Sequence, residues 1–346
     1  MTVTAPTPAP ATEVPRSSGA RLVDRVFKMR ELAILAVFLV MIAITQTGNS
    51  EFLSEQGVKD LLLNATILVL VATGQSLVVI TRNVDLSVGS TLGISAFAAG
   101  TCLQGGGNPV VAVSLAVLLG VGCGLVNGLL VSLGQVPALV VTLGTLYIIR
   151  GIDSIWVGSR QITAADLPGG FVDFGSGGIS AVPYLALIAL AVLVVAAYYL
   201  KHFGSGRELY ALGSNPEAAR LAGIPVRARI LTAYVVCGGL AGLAGALYLA
   251  RFGNVDSGTG NGYELTVVSA VVVGGVVFTG GSGSVYGAAL GALLLTSINS
   301  VLPALGVSSV WVLAINGVLL ILAIAVDRIV ALRVASALKK RNARHG

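Results

Sequence analysis

Apolar residues run through most of this chain in long stretches, and polar residues gather between them. A bilayer core takes about 20 helical residues to cross. Ten stretches approach that length: 32–47, 58–80, 86–103, 109–133, 137–157, 181–200, 230–251, 265–279, 285–302 and 310–331. The pattern predicts an all-α polytopic membrane protein of about ten transmembrane helices. The segment 86–103 follows Asp85-Leu86-Ser87-Val88-Gly89-Ser90. That run reads as a helix start within or near the membrane, with Asp85 as N-cap and Ser87 bonding nearby backbone.

Composition then excludes the soluble alternative. Asp, Glu, Lys and Arg make up 10% of the 346 residues, against about 25% in soluble domains. Glycine reaches 45 residues, an excess that suits close helix packing in lipid. A net charge of +6 would suggest nucleic acid in a soluble protein, but here the charges lie in blocks between apolar runs. They read as membrane orientation. With the N-terminus inside, 17 of the 21 basic residues fall on the inner side, and only Lys59, Arg150, Arg160 and Arg251 fall outside. Both termini are therefore expected in the cytoplasm. Residues 1–31 read as a disordered, basic, proline-containing tail, 32–331 as the membrane domain and 332–346 as a second basic tail.

Within the inner loop 201–229, one helix is specified in detail. Asn215 suits an N-cap, Pro216 the first helical position and Glu217 the first turn; Gly223 and Pro225 end it. The expected helix is Pro216 to Ala222, surrounded by Arg207, Arg220, Arg227 and Arg229. A helix this short is marginal alone in water, so it reads either as a docking element or as an ordinary capped loop helix.

An offset of 198 residues aligns Thr81, Gly89, Leu92 and Gly93 with Thr279, Gly287, Leu290 and Gly291. Repeats of this kind occur in transporters. Val, Ala and Gly are so abundant that coincidence stands beside that reading. The polar residues inside the spans include Asn64, Gln75, Asn127, Thr142, Tyr147 and Asn299. Each can bond between helices or line an uncharged polar path. No acid or base falls at the centre of a predicted span; Arg150 and Asp153 lie toward an outer end, spaced to pair with each other. That argues against proton or sodium coupling, leaving open Na⁺ bound by backbone carbonyls. The run Gly280-Gly281-Ser282-Gly283-Ser284-Val285-Tyr286-Gly287 lacks the Lys-Ser/Thr ending of a phosphate-binding loop and reads as a tight turn with close packing. Cys102, Cys123 and Cys237 read as packing residues, and no His, Cys and carboxylate cluster suggests a metal or catalytic site.

Four signatures in order resemble the ribose-type monosaccharide permeases of ATP-binding cassette (ABC) transporters. They are Asp85 to Ser90; Val136 to Thr145 with Arg150-Gly151; Gly206-Arg207, Gly213-Ser214-Asn215 and Ala218 to Ile224; and Gly274-Gly275, Gly280-Gly281 and Gly283-Ser284 with Gly287. The outer segment Val255-Asp256-Ser257 with Gly262-Tyr263-Glu264-Leu265 looks closer to the rhamnose and autoinducer-2 members. The resemblance implies a non-enzymatic, multi-pass subunit in a bacterial inner membrane. It implies that Gly206, Arg207, Gly213, Asn215, Pro216, Glu217, Ala218, Ala219, Arg220 and Gly223 couple to an ATPase, and that Asp85, Gly89, Gly281 and Gly287 are structural or gating residues. Implied partners are two cytoplasmic ABC ATPase subunits, a second permease subunit, an extracytoplasmic sugar-binding protein and membrane lipid, with no nucleic acid. No cofactor is expected in this chain. A branched-chain amino-acid permease of the same superfamily and a stand-alone secondary carrier remain the alternatives.

Overall fold

The computed structural model describes residues 32, 34–47 and 50–304 and single positions between 308 and 325. The tails 1–31 and 332–346 lie outside the described residues, as does most of the tenth predicted span. The long helices are α1 (Ile34–Thr47), α2 (Glu55–Ile80), α3 (Val88–Gln104), α4 (Pro109–Ser132), α5 (Ala138–Val157), α7 (Tyr184–His202), α10 (Val226–Phe252), α11 (Tyr263–Val273) and α12 (Val285–Ala304). Three short α-helices lie between them, α6 (Gly169–Ser176), α8 (Gly204–Ser214) and α9 (Pro216–Leu221), with 3₁₀ turns at Ser50–Leu53 and Ala164–Asp166. The only sheet among the described residues is a two-residue hairpin, β1 (Gly178–Ile179) with β2 (Val182–Pro183). Six of these helices are long and apolar enough to cross a membrane.

Local sequence explains where these helices start. Ser54 caps α2 by accepting from the Gly57 N–H at 3.1 Å. Asn108 caps α4 by accepting from Val110 N–H at 2.8 Å, with Pro109 in the first helical position. α2 is apolar on every side and is buried almost throughout, as an all-round apolar helix should be. α10 lies against α2, α3 and α4. By contrast α4, α5 and α7 leave large apolar side chains on their outer faces, among them Leu118, Ile155 and Val195. Such continuous apolar surface belongs in lipid or at a subunit interface, not in water.

Glycine sets the contact between α4 and α10. A Cβ on Gly120 would overlap the Gly238 carbonyl oxygen, and one on Gly238 would overlap that of Gly120. Gly124 stands in the same way against Tyr234, and Gly242 against Ala116. Small residues every fourth position let the α4 and α10 backbones touch. Gly238→Ile should therefore separate them. We expect a loss of about 1–3 kcal/mol or more from overpacking, read as a lower thermal midpoint in detergent, whereas Gly122→Ile, with nothing near its Cβ, should leave that midpoint unchanged.

The 198-residue offset lays helix on helix over part of its length. It carries Val88–Gln104 onto 286–302, inside α12, and residues 65–75 of α2 onto 263–273, which is α11. The exceptions are residues 55–64 and 76–80: they are helix in α2, but their counterparts 253–262 and 274–278 are loop.

Two expectations are corrected. α11 ends at Val273, six residues before the end of the predicted span 265–279, because Gly274 and Gly275 lead into a loop with Gly275, Gly280, Gly281 and Gly283 at positive φ. The inner loop holds two helices instead of one, since α8 precedes α9.

Candidate functional site

α8 and α9 build the first part of the site. Only Phe203 separates α7 from α8. Gly206 lets α8 fold onto the last turn of α7, where a Cβ would overlap the Tyr199 carbonyl. Arg207 Nη1 donates to the His202 carbonyl at 3.0 Å, giving a partner to an orphan acceptor at the end of α7. Glu208 pairs with Arg229 at the base of α10.

The other end of α8 is keyed into a junction. The Gly281 N–H donates to the Ile80 carbonyl at 2.9 Å, joining the end of α2 to the loop 274–284. Arg82 Nε donates to the Thr279 carbonyl at 2.6 Å across the same seam. Gly213 sits directly on it, and a Cβ there would overlap both Ile80 O and Gly281 N. Tyr210 OH donates to the Gly283 carbonyl at 3.1 Å. Burial pushes the Tyr210 hydroxyl up to about 12, so it stays protonated and donating at neutral pH. One rigid helix thus touches the breaks that precede both α3 and α12.

α9 has the expected caps. Asn215 Oδ1 accepts from the Ala218 N–H at 3.1 Å and Pro216 takes the first position. The chain leaves through Gly223 at φ +80°, with the Ile224 N–H on the Ala219 carbonyl at 3.0 Å. Ala219 is buried, while Glu217, Ala218, Arg220 and Leu221 face outward. Glu217 and Arg220 lie 3.8 Å apart in the open and contribute little to stability. Leu221, which no sequence signal marked, is 86% exposed at the tip.

A buried polar cluster holds the break between α2 and α3. Asp85 Oδ1 accepts from the Ser87 N–H at 2.9 Å and from Ser87 Oγ at 2.7 Å. Asn127 Nδ2 donates to Ser87 Oγ at 2.8 Å and reaches Asp85 at 3.3 Å. The Gln75 amide, oriented to satisfy both groups, donates to the Asp85 carbonyl and accepts from its N–H, each at 3.2 Å. Tyr234 OH donates to the Val84 carbonyl at 3.0 Å, and Thr142 Oγ1, which donates to the Ala138 carbonyl at 2.9 Å, lies 3.4 Å from the same Val84 oxygen. Asp85 is therefore not the N-cap of α3. Ser87 is, in helical conformation and without a side-chain capping bond, and Asp85 closes a turn just before it. Of the six path candidates, Gln75, Asn127 and Thr142 meet here. Asn64 and Asn299 are half-buried on α2 and α12, and Tyr147 is exposed on α5, outside this cluster.

The third part is the loop 253–262. Val255 pairs with Ile162, which packs on Gly100 near the far end of α3. Five residues later Gly260 lies against Gly89, and Thr259 against Gly93. From Gly100 to Gly89 is about 16 Å along a helix, so this loop runs deep beside α3. Arg150 Nη1 donates to the Thr259 carbonyl at 2.7 Å. Asp153 is fully buried, 3.9 Å from Arg150 Nη1, and neither carboxylate oxygen has a hydrogen-bond partner. Glu264 Oε2 is buried beside Gly89 without a partner. Charge therefore gathers beside α3: Asp85 and Asp153 are buried, Glu264 buries one carboxylate oxygen and Arg150 is half-buried. At the second break, Gly287 offers its carbonyl to a close approach by Gly274, where a side chain would not fit.

The family described as branched-chain amino acid transport system / permease component matches residues 57–324. The Ribose import permease protein RbsC of Escherichia coli (strain K12) is 36% identical over 315 residues, covering 90% of this chain and 97% of the relative. The Autoinducer 2 import system permease protein LsrC of Salmonella typhi is 38% identical over 293 residues, covering 84% and 82%. The chain belongs to this permease family. No solved structure matches it. It is a multi-pass permease of the inner membrane.

Sequence reasoning missed the deep loop of this permease. Asp256 and Glu264 read as outer charges because hydropathy reports average composition, not depth. A usable signal was present in Gly258, Gly260 and Gly262 facing a chain that also carries Gly89 and Gly93. Alternate glycines on a loop and glycines one turn apart on a helix mark a close backbone approach.

Proposed function

We propose that this permease is the membrane subunit of an ABC importer for a neutral monosaccharide, ribose-, xylose- or rhamnose-like. It has about ten spans, both termini in the cytoplasm, and α8–α9 on the cytoplasmic side. Two such subunits, identical or homologous, enclose the path, two cytoplasmic ATPases drive it, and an extracytoplasmic binding protein delivers the sugar. ATP is hydrolysed on the partner chains. The observation that carries this reading is the α8–α9 element: a capped helix presents an exposed tip, and its rigid neighbour bears on the breaks before α3 and α12. Movement of the tip thus reaches two membrane helices at once. The relatives named for ribose import and autoinducer 2 import support the substrate class.

Leu221→Asp tests the coupling assignment. Leu221 is exposed here, so the change should not disturb this chain's own fold. Loss of a buried leucine contact costs about 1.5–3 kcal/mol, or about 10- to 100-fold in ATPase affinity. Co-purification with the ATPase and ATP-driven sugar uptake in vesicles should both fall by that order. Wild-type association of Leu221→Asp would overturn the assignment of α9 as the contact.

The buried Arg150 and Asp153 give one observation in favour of a zwitterionic substrate, and with it a branched-chain amino-acid permease. The ligand that co-purifies with the binding protein decides between the two.

A further inference from the structure

The loop 253–262 is non-helical backbone that runs beside α3 from the level of Gly100 to that of Gly89, near the helix's first turn. Such backbone is tolerated only where protein buries it or where it borders water. Both conditions hold here, on opposite sides of the loop. Thr259 and Gly260 are buried against α3, whereas Asp256, Gly258 and Asn261 are exposed on the side away from it. Polar side chains exposed at this depth face an aqueous path and not lipid.

The loop is tied down at one end and stiff within itself. Its fixed end is paired through Ile162 and Val255, both bonds at 3.0 Å, and by Gln161 Nε2 donating to Asn254 Oδ1 at 2.8 Å. Its body is stiffened by an internal turn, in which the Gly258 N–H donates to Asp256 Oδ1 at 2.9 Å and the Asp256 N–H donates to Thr259 Oγ1 at 3.0 Å. Its far end carries Gly260 and Gly262 at φ +77° and +78°, a conformation glycine enters and leaves without steric cost. Against α3 it presents backbone to glycine, the Gly260 carbonyl to Gly89 and the Thr259 carbonyl to Gly93. The side-chain bond that reaches its middle from another element is that of Arg150 to the Thr259 carbonyl.

Asp153 then acquires a purpose. Leaving a buried carboxylate with both oxygens unbonded is costly. Its neighbour guanidinium stands at 3.9 Å, in ion-pair range but beyond hydrogen-bond distance. A guanidinium can grip a carboxylate with two parallel bonds, and Arg150 would reach Asp153 if it released Thr259.

We propose that residues 254–262 form the extracytoplasmic barrier of the path, that Arg150 is the positioning residue holding it shut, and that Asp153 receives the Arg150 guanidinium when the loop withdraws. This rests on the importer reading above for its sidedness and for the driving step. Opening exchanges one charge-assisted bond for a paired carboxylate, so a modest input from the ATPase or the receptor can switch the state.

The test uses the complete importer in vesicles with Asn261→Cys in a background lacking Cys102, Cys123 and Cys237. The readouts are labelling by a membrane-impermeant thiol reagent, at rest and during ATP turnover, and ATP-driven uptake of a monosaccharide. With Arg150 and Asp153 intact, labelling should be slow at rest and faster in turnover. Arg150→Gln should be fast in both states, by about tenfold at rest, the population change expected for losing one charge-assisted bond. Asp153→Asn should be slow in both states, with uptake reduced. A merely structural Asp153 would loosen the loop and raise labelling instead. Arg150→Lys keeps one bond to Thr259 but cannot grip Asp153 with two, so it should rest like wild type and turn over slowly. Unchanged labelling in these variants, or a change in the same direction for Arg150→Gln and Asp153→Asn, overturns the latch while leaving the importer standing. Absence of ATP-driven monosaccharide uptake with both residues intact overturns the importer reading and the barrier with it.

Discussion

Replacing Gly213 with alanine should abolish coupled uptake. The added Cβ would overlap two backbone atoms, the Ile80 carbonyl oxygen and the Gly281 nitrogen. These atoms are themselves hydrogen-bonded to each other at 2.9 Å, so neither can retreat without opening the seam between α2 and the loop 274–284. Overpacking of this kind costs about 1–3 kcal/mol, and here the strain falls where α8 bears on the membrane helices. We expect ATP-driven uptake in vesicles to fall at least about tenfold, the rate equivalent of about 1.4 kcal/mol, with ATPase activity no longer following substrate. Gly204→Ala supplies the control. It lies at the other end of the same helix with nothing near its Cβ, and should leave uptake unchanged. Gly223→Ala has space but sits at φ +80°, so it should show backbone strain without steric overlap and fall between the two. Full coupling in Gly213→Ala would show that α8 does not transmit through this contact.

The three glycines of α8 also show why that helix was invisible in the sequence. Gly204, Gly206 and Gly213 are poor helix formers, and the apolar face is interrupted. The helix is held by what it packs on: the end of α7, Arg229 and the junction. None of these is a local signal. α9, two residues further on, was legible because its determinants are local, with Asn215 and Pro216 opening it and Gly223 closing it. The long spans were legible for a third reason: lipid demands apolar length of any helix that crosses it. That demand also explains the failure at 253–262. A glycine-rich segment with Asp256, Asn261 and Glu264 reads as surface, and only its contact with Gly89 and Gly93 reveals its depth. The path candidates divide similarly. Polarity within a span singled out Gln75, Asn127 and Thr142, but that Asp85 and the backbone beside it stand next to them depends on how α2, α4 and α5 come together.

Asp85→Leu should be the most damaging single change to the fold. It removes the acceptor for the Ser87 N–H and Oγ–H and for Asn127 Nδ2. Asn127 keeps its bond to Ser87 Oγ, so the principal orphan is the Ser87 N–H at the start of α3. A buried donor without a partner costs about 1–3 kcal/mol, and the larger side chain adds steric strain in a site already closed by Gln75, Thr142 and Tyr234. The break between α2 and α3 would lose its turn, and with it the fixed position of Ile80 against Gly213. The expected result is a large drop in the thermal midpoint in detergent together with loss of uptake. Asp85→Asn should be far milder, because its Oδ1 can keep both Ser87 bonds while its amide nitrogen turns toward Asn127, whose Oδ1 has no partner in the native cluster. A cycle with Asn127→Leu separates the contributions. If the two side chains act as one cluster, the double substitution Asp85→Leu with Asn127→Leu will cost less than the sum of the single ones, since two missing partners leave fewer orphans than one. Strict additivity would mean that Asn127 serves the α4 interface alone and that the turn at Asp85 stands without it.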